Sequence, residues 1–391
     1  MSFAADWAAL QPVGRNGRSG GYRRFAWTGE DATLREWFAA AAAERGLDVT
    51  QDRAGNQWAW WGDPDADGPG VVTGSHLDSV PDGGAFDGPL GVVSAFAAVD
   101  ALRAQGFLPA RPIGVANFVD EEGARFGVAC AGSRLITGQL AADRAAGLRD
   151  GDGISLAEAM SRAGQRPDLL GRDEQALRRI GQYVELHIEQ GRGLIELDRP
   201  VAVGSSIWPH GRWRLDLPGQ ANHAGTTRLA DRDDPMLRLA RVITGAREAA
   251  AARDCVATVG KVRVEPNGVN AIPSAVTAWL DARGGDEDAV RAVAAEVGRI
   301  GGRIEQESFT PSTAFDPGLV VQVAGWLDGA PVLATGAGHD AGILATAGIP
   351  SVMLFVRNPS GISHSPVEHA EPADCQAGVA ALTTVLSRLA G

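Results

Sequence analysis

Residues 71–91 read VVTGSHLDSVPDGGAFDGPLG, a short apolar run followed by a loop region, with one histidine, three aspartates and five glycines in the stretch. The apolar run predicts a buried strand. After Pro89 the segment LGVVSAFAAVDALRAQG predicts a largely buried helix. His76 and Asp87 stand eleven residues apart across the glycine turn, so the loop can fold back until imidazole and carboxylate meet at one point. The same residues, DGGAFDG, are also compatible with a plain acidic turn.

Outward from this stretch the texture repeats. Residues 31–46 (DATLREWFAAAAAERG) predict an amphipathic helix with a glycine stop, and RPIGVANFVDEEG predicts another buried strand ending in acids. Strands alternating with helices predict an α/β fold whose largely parallel sheet is covered on both faces. Sites in such sheets gather beyond the carboxyl ends of the strands, where both acidic clusters fall. In QYVELHIEQG, Val184, Leu186 and Ile188 alternate with Tyr183, Glu185, His187 and Glu189, which predicts a strand with one polar face.

From about 205 to 313 the pattern changes. WRLDLPGQ and KVRVEPN alternate like antiparallel strands, and 235–252 and 286–301 predict helices, together a compact α+β insert. GHDAGILATAGI (helix) and PSVMLFV (buried strand) resume the first texture. The expected organisation is a catalytic metal-binding domain over 1–204 and 314–391, interrupted by an inserted domain over 205–313.

Composition narrows the chemistry. The formal net charge of -12 argues against nucleic acid or an anionic membrane as the main partner. Cys130, Cys255 and Cys375 are scattered without CxxC spacing, as expected in a reducing compartment, and neither a signal-peptide-like core nor a membrane-length apolar run is present; the expected location is cytoplasmic. Lys261 is the only lysine and lies in a strand-like run, which disfavours Schiff-base and P-loop enzymes. No GxSxG elbow appears, and Cys130 in VACAG reads as core.

Seven histidines remain, at 76, 187, 210, 223, 339, 364 and 369. Asp120, Glu121 and Glu122 stack like charges at a strand end, which is costly unless a cation or proton neutralises them; a solvated acidic loop is the alternative. One carboxylate can bind a metal while its neighbour acts as base on an activated water. His187 and His364 could complete a mixed His/carboxylate site of a kind that suits Zn²⁺, Mn²⁺, Co²⁺ or Ni²⁺. The residues alone thus predict a metal-assisted hydrolase.

GSHLDSVPDGGAFDGPLGV, DEEGARFG, ELHIEQG, ANHAGTT, GVNAIP, GAGHDA and GISHSPVEH follow one another in the order of the M20-type metal-dependent amidohydrolases. The pattern resembles the branch holding allantoate amidohydrolase, N-carbamoyl-L-amino-acid hydrolase and β-ureidopropionase. The resemblance implies two divalent metal ions per subunit at the end of a mixed sheet, with His76 and His187 on one ion, Glu122 and His364 on the other, and Asp87 bridging. It implies Glu121 as the general base and Asp78, His339 and Asp340 as supports, although His339–Asp340 also reads as a buried structural pair. It implies a homodimer through the insert acting as a lid, with His223 stabilising the oxyanion and Gln190, Arg212, Asn270 and Arg283 contacting substrate. Spacing alone favours a surface ion pair for Arg283.

Three departures bear on the substrate. HAGTT is followed by Arg228 and Leu229, FVRNPS brings Arg357 and Asn358 before GISH, and IWPHGRW carries His210. An extra cation such as Arg357 could favour a second acid on the substrate, or lie at the rim. The expected reaction is hydrolysis of a ureido C–N bond on a small carboxylate, with allantoate slightly ahead of N-carbamoyl-L-amino acids on the likeness of Arg212 and ANHAGTT. β-Ureidopropionate and N-formyl-amino acids follow, then aminoacylase or dipeptidase chemistry. A catalytically dead binding protein of the same fold is the alternative outside enzymes.

Overall fold

The computed structural model describes residues 2–391, in two compact units. One is built from the chain up to Ser206 together with Ala314–Gly391, the other from Ile207–Thr313.

In the larger unit, strands Asp48–Gln51, Gln57–Trp61, Ile113–Phe118, Gly70–His76, Ile180–Ile188, Ser351–Val356 and Val201–Ile207 lie side by side in that order. The four strands from Ile113–Phe118 to Ser351–Val356 run parallel, and the neighbours on either side of them are antiparallel. Three of these four (GVVTGSH, IGVANF and SVMLFV) are buried at every residue, the mark of strands covered on both faces. Helix Pro89–Ala104 packs against strands Gly70–His76 and Ile180–Ile188 and against the C-terminal helix Pro372–Ala390. The helix expected over 31–46 runs Gly29–Glu44, capped by the Thr28 hydroxyl and closed by Gly46 in a left-handed conformation (φ 56°).

The parallel register sets the site. His76 pairs with Phe118, and His187 with Phe355, so the loops after all four strands leave from one edge of the sheet. The polar face of Ile180–Ile188 is not a solvated one. Tyr183 to Ile188 are all buried, and the polar groups of Tyr183, Glu185 and Glu189 are spent internally. Tyr183 donates to the Gly74 carbonyl at 3.1 Å, Glu185 accepts from Ser75 Oγ and Ala341 N at 2.9 Å each, and Glu189 caps helix Gly193–Glu196.

The smaller unit is a four-stranded antiparallel sheet in the order Ile304–Thr310, His210–Pro218, Ala275–Gly284, Cys255–Glu265, with helices Pro235–Ala251 and Glu287–Gly301. Period-two alternation sends Trp213, Leu215, Leu280 and Ala282 into a core with Val242, Val290, Val293 and Val297 of the helices. Arg212, Asp281 and Arg283 therefore lie on the opposite face of the sheet. Among the described residues, no helix is long and apolar enough to cross a membrane, and the three cysteines are free thiols.

Candidate metal centre and catalytic site

The glycine loop is built around the His76 ring. Gly88 has φ 87°, and a Cβ there would sit 2.5 Å from that ring, so the turn after Asp87 admits only glycine. Asp78 ties this loop to the next: its two carboxylate oxygens accept the backbone N–H groups of Glu121 and Glu122 at 3.1 and 3.0 Å. The Asp78 carbonyl lies 3.2 Å from His76 Nδ1, and the Ile188 carbonyl 2.9 Å from His187 Nδ1. A carbonyl can only accept, so Nδ1 donates in both rings and Nε2 is the nitrogen each ring turns to the site.

Those Nε2 atoms converge on Asp87. Its Oδ1 lies 3.6 Å from His76 Nε2 and 3.2 Å from His187 Nε2, while its Oδ2 lies 3.4 Å from His364 Nε2. His364 Nε2 is in turn 3.5 Å from Glu122 Oε2. Two donor groups result, His76–Asp87–His187 and Asp87–Glu122–His364, each with its ligand atoms within 4.8 Å of one another and sharing Asp87. Glu121 Oε2 stands 3.7 Å from His76 Nε2, beside the first of these groups.

The electrostatics call for a cation. Burial, with the nearby carboxylates Asp340, Glu122 and Asp78, drives the Glu121 carboxyl well above its ordinary range, and burial with Asp87 raises Glu122 to about 7. Asp87 stays well below the usual range despite its burial, because His187, His364 and His76 surround it. The same carboxylate raises His364 to about 9. His76 Nε2, His187 Nε2 and Glu122 Oε1 are buried without hydrogen-bond partners. Orphaned nitrogen and oxygen donors gathered around buried acids fit one or more divalent metal ions of the borderline kind.

Several supports were not legible as such in the sequence. Glu368 Oε2 accepts the backbone N–H groups of Phe86 and Asp87 at 3.0 Å each, and its Oε1 accepts from Ser363 Oγ at 3.0 Å. Ser363 Oγ also lies 3.1 Å from Asp87 Oδ2, as does Gln190 Nε2 at 2.9 Å. Gln190, expected at the substrate, is thus brought to the shared carboxylate. Asn358 Oδ1 accepts from Ser360 N and Gly361 N and its Nδ2 donates to the Ile362 carbonyl, which folds the loop that carries His364 in a left-handed conformation (φ 55°). Arg357 makes a two-point pair with Asp374 at 2.9 and 3.0 Å and a third contact with Asp198, so its charge is neutralised by protein carboxylates. Asp82 anchors Asn16, Ser19 and Arg23, more than a turn residue would.

His339 lies ring to ring with His187, centroids 4.5 Å apart, and burial holds it neutral, well below its ordinary pKa. Asp340 does not reach a histidine ligand; it accepts from Ser133 Oγ at 2.5 Å, with its other oxygen buried and unpartnered.

The insert assembles its own polar group. His223 and Asn270 are brought together by the pairing of Asn222–His223 with Ala271–Ile272, and Ala224 N donates to the Asn270 carbonyl. His223 Nδ1 accepts from Gly225 N and Thr226 N at 3.0 and 3.2 Å, so its Nε2 carries the proton and is an exposed donor. Arg283 binds Asp281 with Nε at 2.7 Å and Nη2 at 3.1 Å, and Arg212 Nε reaches the same carboxylate at 3.4 Å. The ion pair that spacing favoured for Arg283 is therefore present. Its register neighbour His210 is held below its ordinary pKa by burial first, then by the nearby arginines. Arg228 pairs with Asp231 at the surface.

Known proteins share this whole chain. N-carbamoyl-L-amino acid amidohydrolase of Geobacillus stearothermophilus is 37% identical over 98% of this chain and 98% of its own. Allantoate amidohydrolase of Escherichia coli is 30% identical over 95% and 94%. A crystal structure of an amidase of the hydantoinase/carbamoylase family from Burkholderia vietnamiensis superposes with TM-score 0.88 at 31% identity, covering 100% of this chain and 97% of that one. The description Peptidase family M20/M25/M40 matches residues 72–388, from the first metal-ligand candidate's strand to the last helix, and the chain belongs to that family.

Proposed function

We propose that this protein is a metal-dependent amidohydrolase that cleaves the C–N bond of a ureido group on a small carboxylate. The observation that carries the reading is Asp87, one oxygen facing His76 and His187 and the other facing His364, with Glu121 alongside. His76 and His187 would hold one divalent ion, Glu122 and His364 a second, with Asp87 shared between them. When bound, such ions polarise the ureido carbonyl and acidify the attacking water.

Glu121 accepts the proton of that water and returns it to the leaving nitrogen; its buried setting raises its basicity toward neutral pH. The exposed Nε2–H of His223 donates to the oxyanion that develops on the carbonyl oxygen. Asn270 and the Arg283 guanidinium, oriented by Asp281, bind the substrate carboxylate, with Arg212 and Gln190 as further contacts. The carbamoyl group leaves as CO2 and ammonia, and the amine is released. The insert acts as a lid and joins two copies in a homodimer. Free thiols in a chain of three cysteines support a cytoplasmic enzyme.

N-carbamoyl-L-amino acids stand first as substrates, on the 37% relative of that activity. Allantoate is the second reading, favoured by the 30% relative and by Arg212. Chelated protein reloaded with Mn²⁺, Zn²⁺, Co²⁺ or Ni²⁺ is assayed for ammonia and amine release from N-carbamoyl-L-amino acids, allantoate, N-carbamoyl-β-alanine and N-formyl-amino acids. Metal-dependent release from the first two is expected. Turnover that survives complete chelation, or no release from any ureido compound, overturns the proposal.

A further inference from the structure

Glu121 is held at both ends by one residue that no part of the proposed reaction uses. Cys130 Sγ lies 3.2 Å from Glu121 Oε1, and the Cys130 backbone N–H donates to the Glu121 carbonyl at 2.5 Å. Two further bonds, Ala131 N to the Asp120 carbonyl and Gly132 N to the Val119 carbonyl, both 3.0 Å, close the acidic loop onto the start of helix Ala131–Thr137. Asp120 and Cys130, on either side of this closure, both take left-handed backbone (φ 53° each), a conformation that side chains other than glycine adopt only where the surroundings impose it.

The thiol is the donor in this contact. Cys130 is 2% exposed, and burial first, then Glu121 and Asp340, keep it protonated well above the usual thiol range. With Oε1 taken by the S–H group, Glu121 Oε2 is the oxygen turned toward His76 Nε2 at 3.7 Å. A thiol is a weak donor. It can fix which oxygen faces the site while withdrawing less proton affinity from a base than a charged or strongly donating partner would.

We propose that Cys130 is a positioning residue for the general base: its S–H···Oε1 hydrogen bond selects the carboxylate rotamer that presents Oε2 to the attacking water. This rests on the reading of Glu121 as the base. The residue therefore acts on kcat through Glu121, without touching substrate or metal.

The test uses metal-loaded full-length enzyme and the ureido substrate it turns over fastest. In Cys130→Ala, kcat falls about three- to tenfold, within the range of an ordinary hydrogen bond, while KM and bound metal stay at wild-type values. Cys130→Ser, which keeps a donor, recovers most of the loss. In a Cys255→Ala/Cys375→Ala background Cys130 is the sole thiol, so its infrared S–H stretch can be read without any change at position 130. That band lies below the free-thiol frequency and moves up when Glu121→Ala removes the acceptor, a readout that stands even if Cys130→Ala fails to fold.

Wild-type kcat in Cys130→Ala, equal losses in the serine and alanine variants, a loss explained by missing metal, or an S–H band indifferent to Glu121→Ala would each overturn the inference. Glu121→Gln separates the two levels. If it keeps wild-type turnover, the reading of Glu121 as base fails. If it is inactive while Cys130→Ala is normal, only the role of Cys130 fails.

Discussion

Glu368 accepts the backbone N–H of Asp87 at 3.0 Å, across 281 residues of sequence. The carboxylate shared by both donor groups is thus set from the far end of the chain, and Ser363, between Glu368 Oε1 and Asp87 Oδ2, adds a side-chain link.

Removing that support loosens the metals before it unfolds the protein. Glu368→Ala frees the Phe86 and Asp87 amides and leaves Ser363 with one acceptor fewer. Metal affinity falls about 10–100-fold, as for other partners that orient a ligand. Competition against a chromophoric chelator measures it; unchanged affinity would mean that the glycine loop positions Asp87 unaided.

Gly88→Ala strains the backbone and pushes the His76 ring from its place, since the new Cβ would lie 2.5 Å from it at φ 87°. Stability falls by about 1–3 kcal/mol from the backbone conformation alone, and bound metal drops with it. Gly106→Ala is the control, with φ 68° but open space around the site of the Cβ. Its melting temperature falls modestly and its metal content holds. Equal metal loss in both variants would remove the His76 clash as the cause.

Metal uptake rises with pH. In the metal-free protein His364 holds its proton up to about 9 and Glu122 up to about 7, and both must be deprotonated to ligate. Asp87, held low, is already ionised. Protons are therefore released on binding by Glu122 and His364, and by His76 and His187, which the surrounding carboxylates also hold above the ordinary imidazole value. Apparent affinity weakens as pH is lowered below about 9. Calorimetry in buffers of different ionisation enthalpy counts the protons, and a pH-independent affinity would contradict the assignment of His364 and Glu122.

The lid reading, taken so that the insert of each subunit completes the site of its partner, predicts complementation. Glu121→Gln and Arg283→Ala are each inactive, but when unfolded and refolded together they form heterodimers with one intact composite site and regain part of the activity. No recovery, with heterodimers demonstrated by a tag, would count against sites shared between subunits.

The sequence by itself determined the strand and helix texture, and it determined the chemistry of the donors. VVTGSH, NFVDEEG and ELHI could be read as strand ends bearing imidazoles and acids because apolar runs with abrupt polar ends have few other uses, and GISH as a loop bearing a further imidazole. It also resolved the alternation of the insert, since a two-residue period reads directly as an inner and an outer face. Contacts between distant segments could not be read this way. That Glu368 sets Asp87, that Asp78 joins two loops, that Asn358 folds the His364 turn, and that Asp281 gathers Arg212 and Arg283 depend on which backbone amides and side chains are left facing one another after folding. Cys130 looked apolar in VACAG because its neighbours are. Only the closed acidic loop decided that its thiol would meet the carboxylate of Glu121, the proposed base, since a hydrogen bond between buried groups depends on their distance in space and not on the company either keeps in the chain.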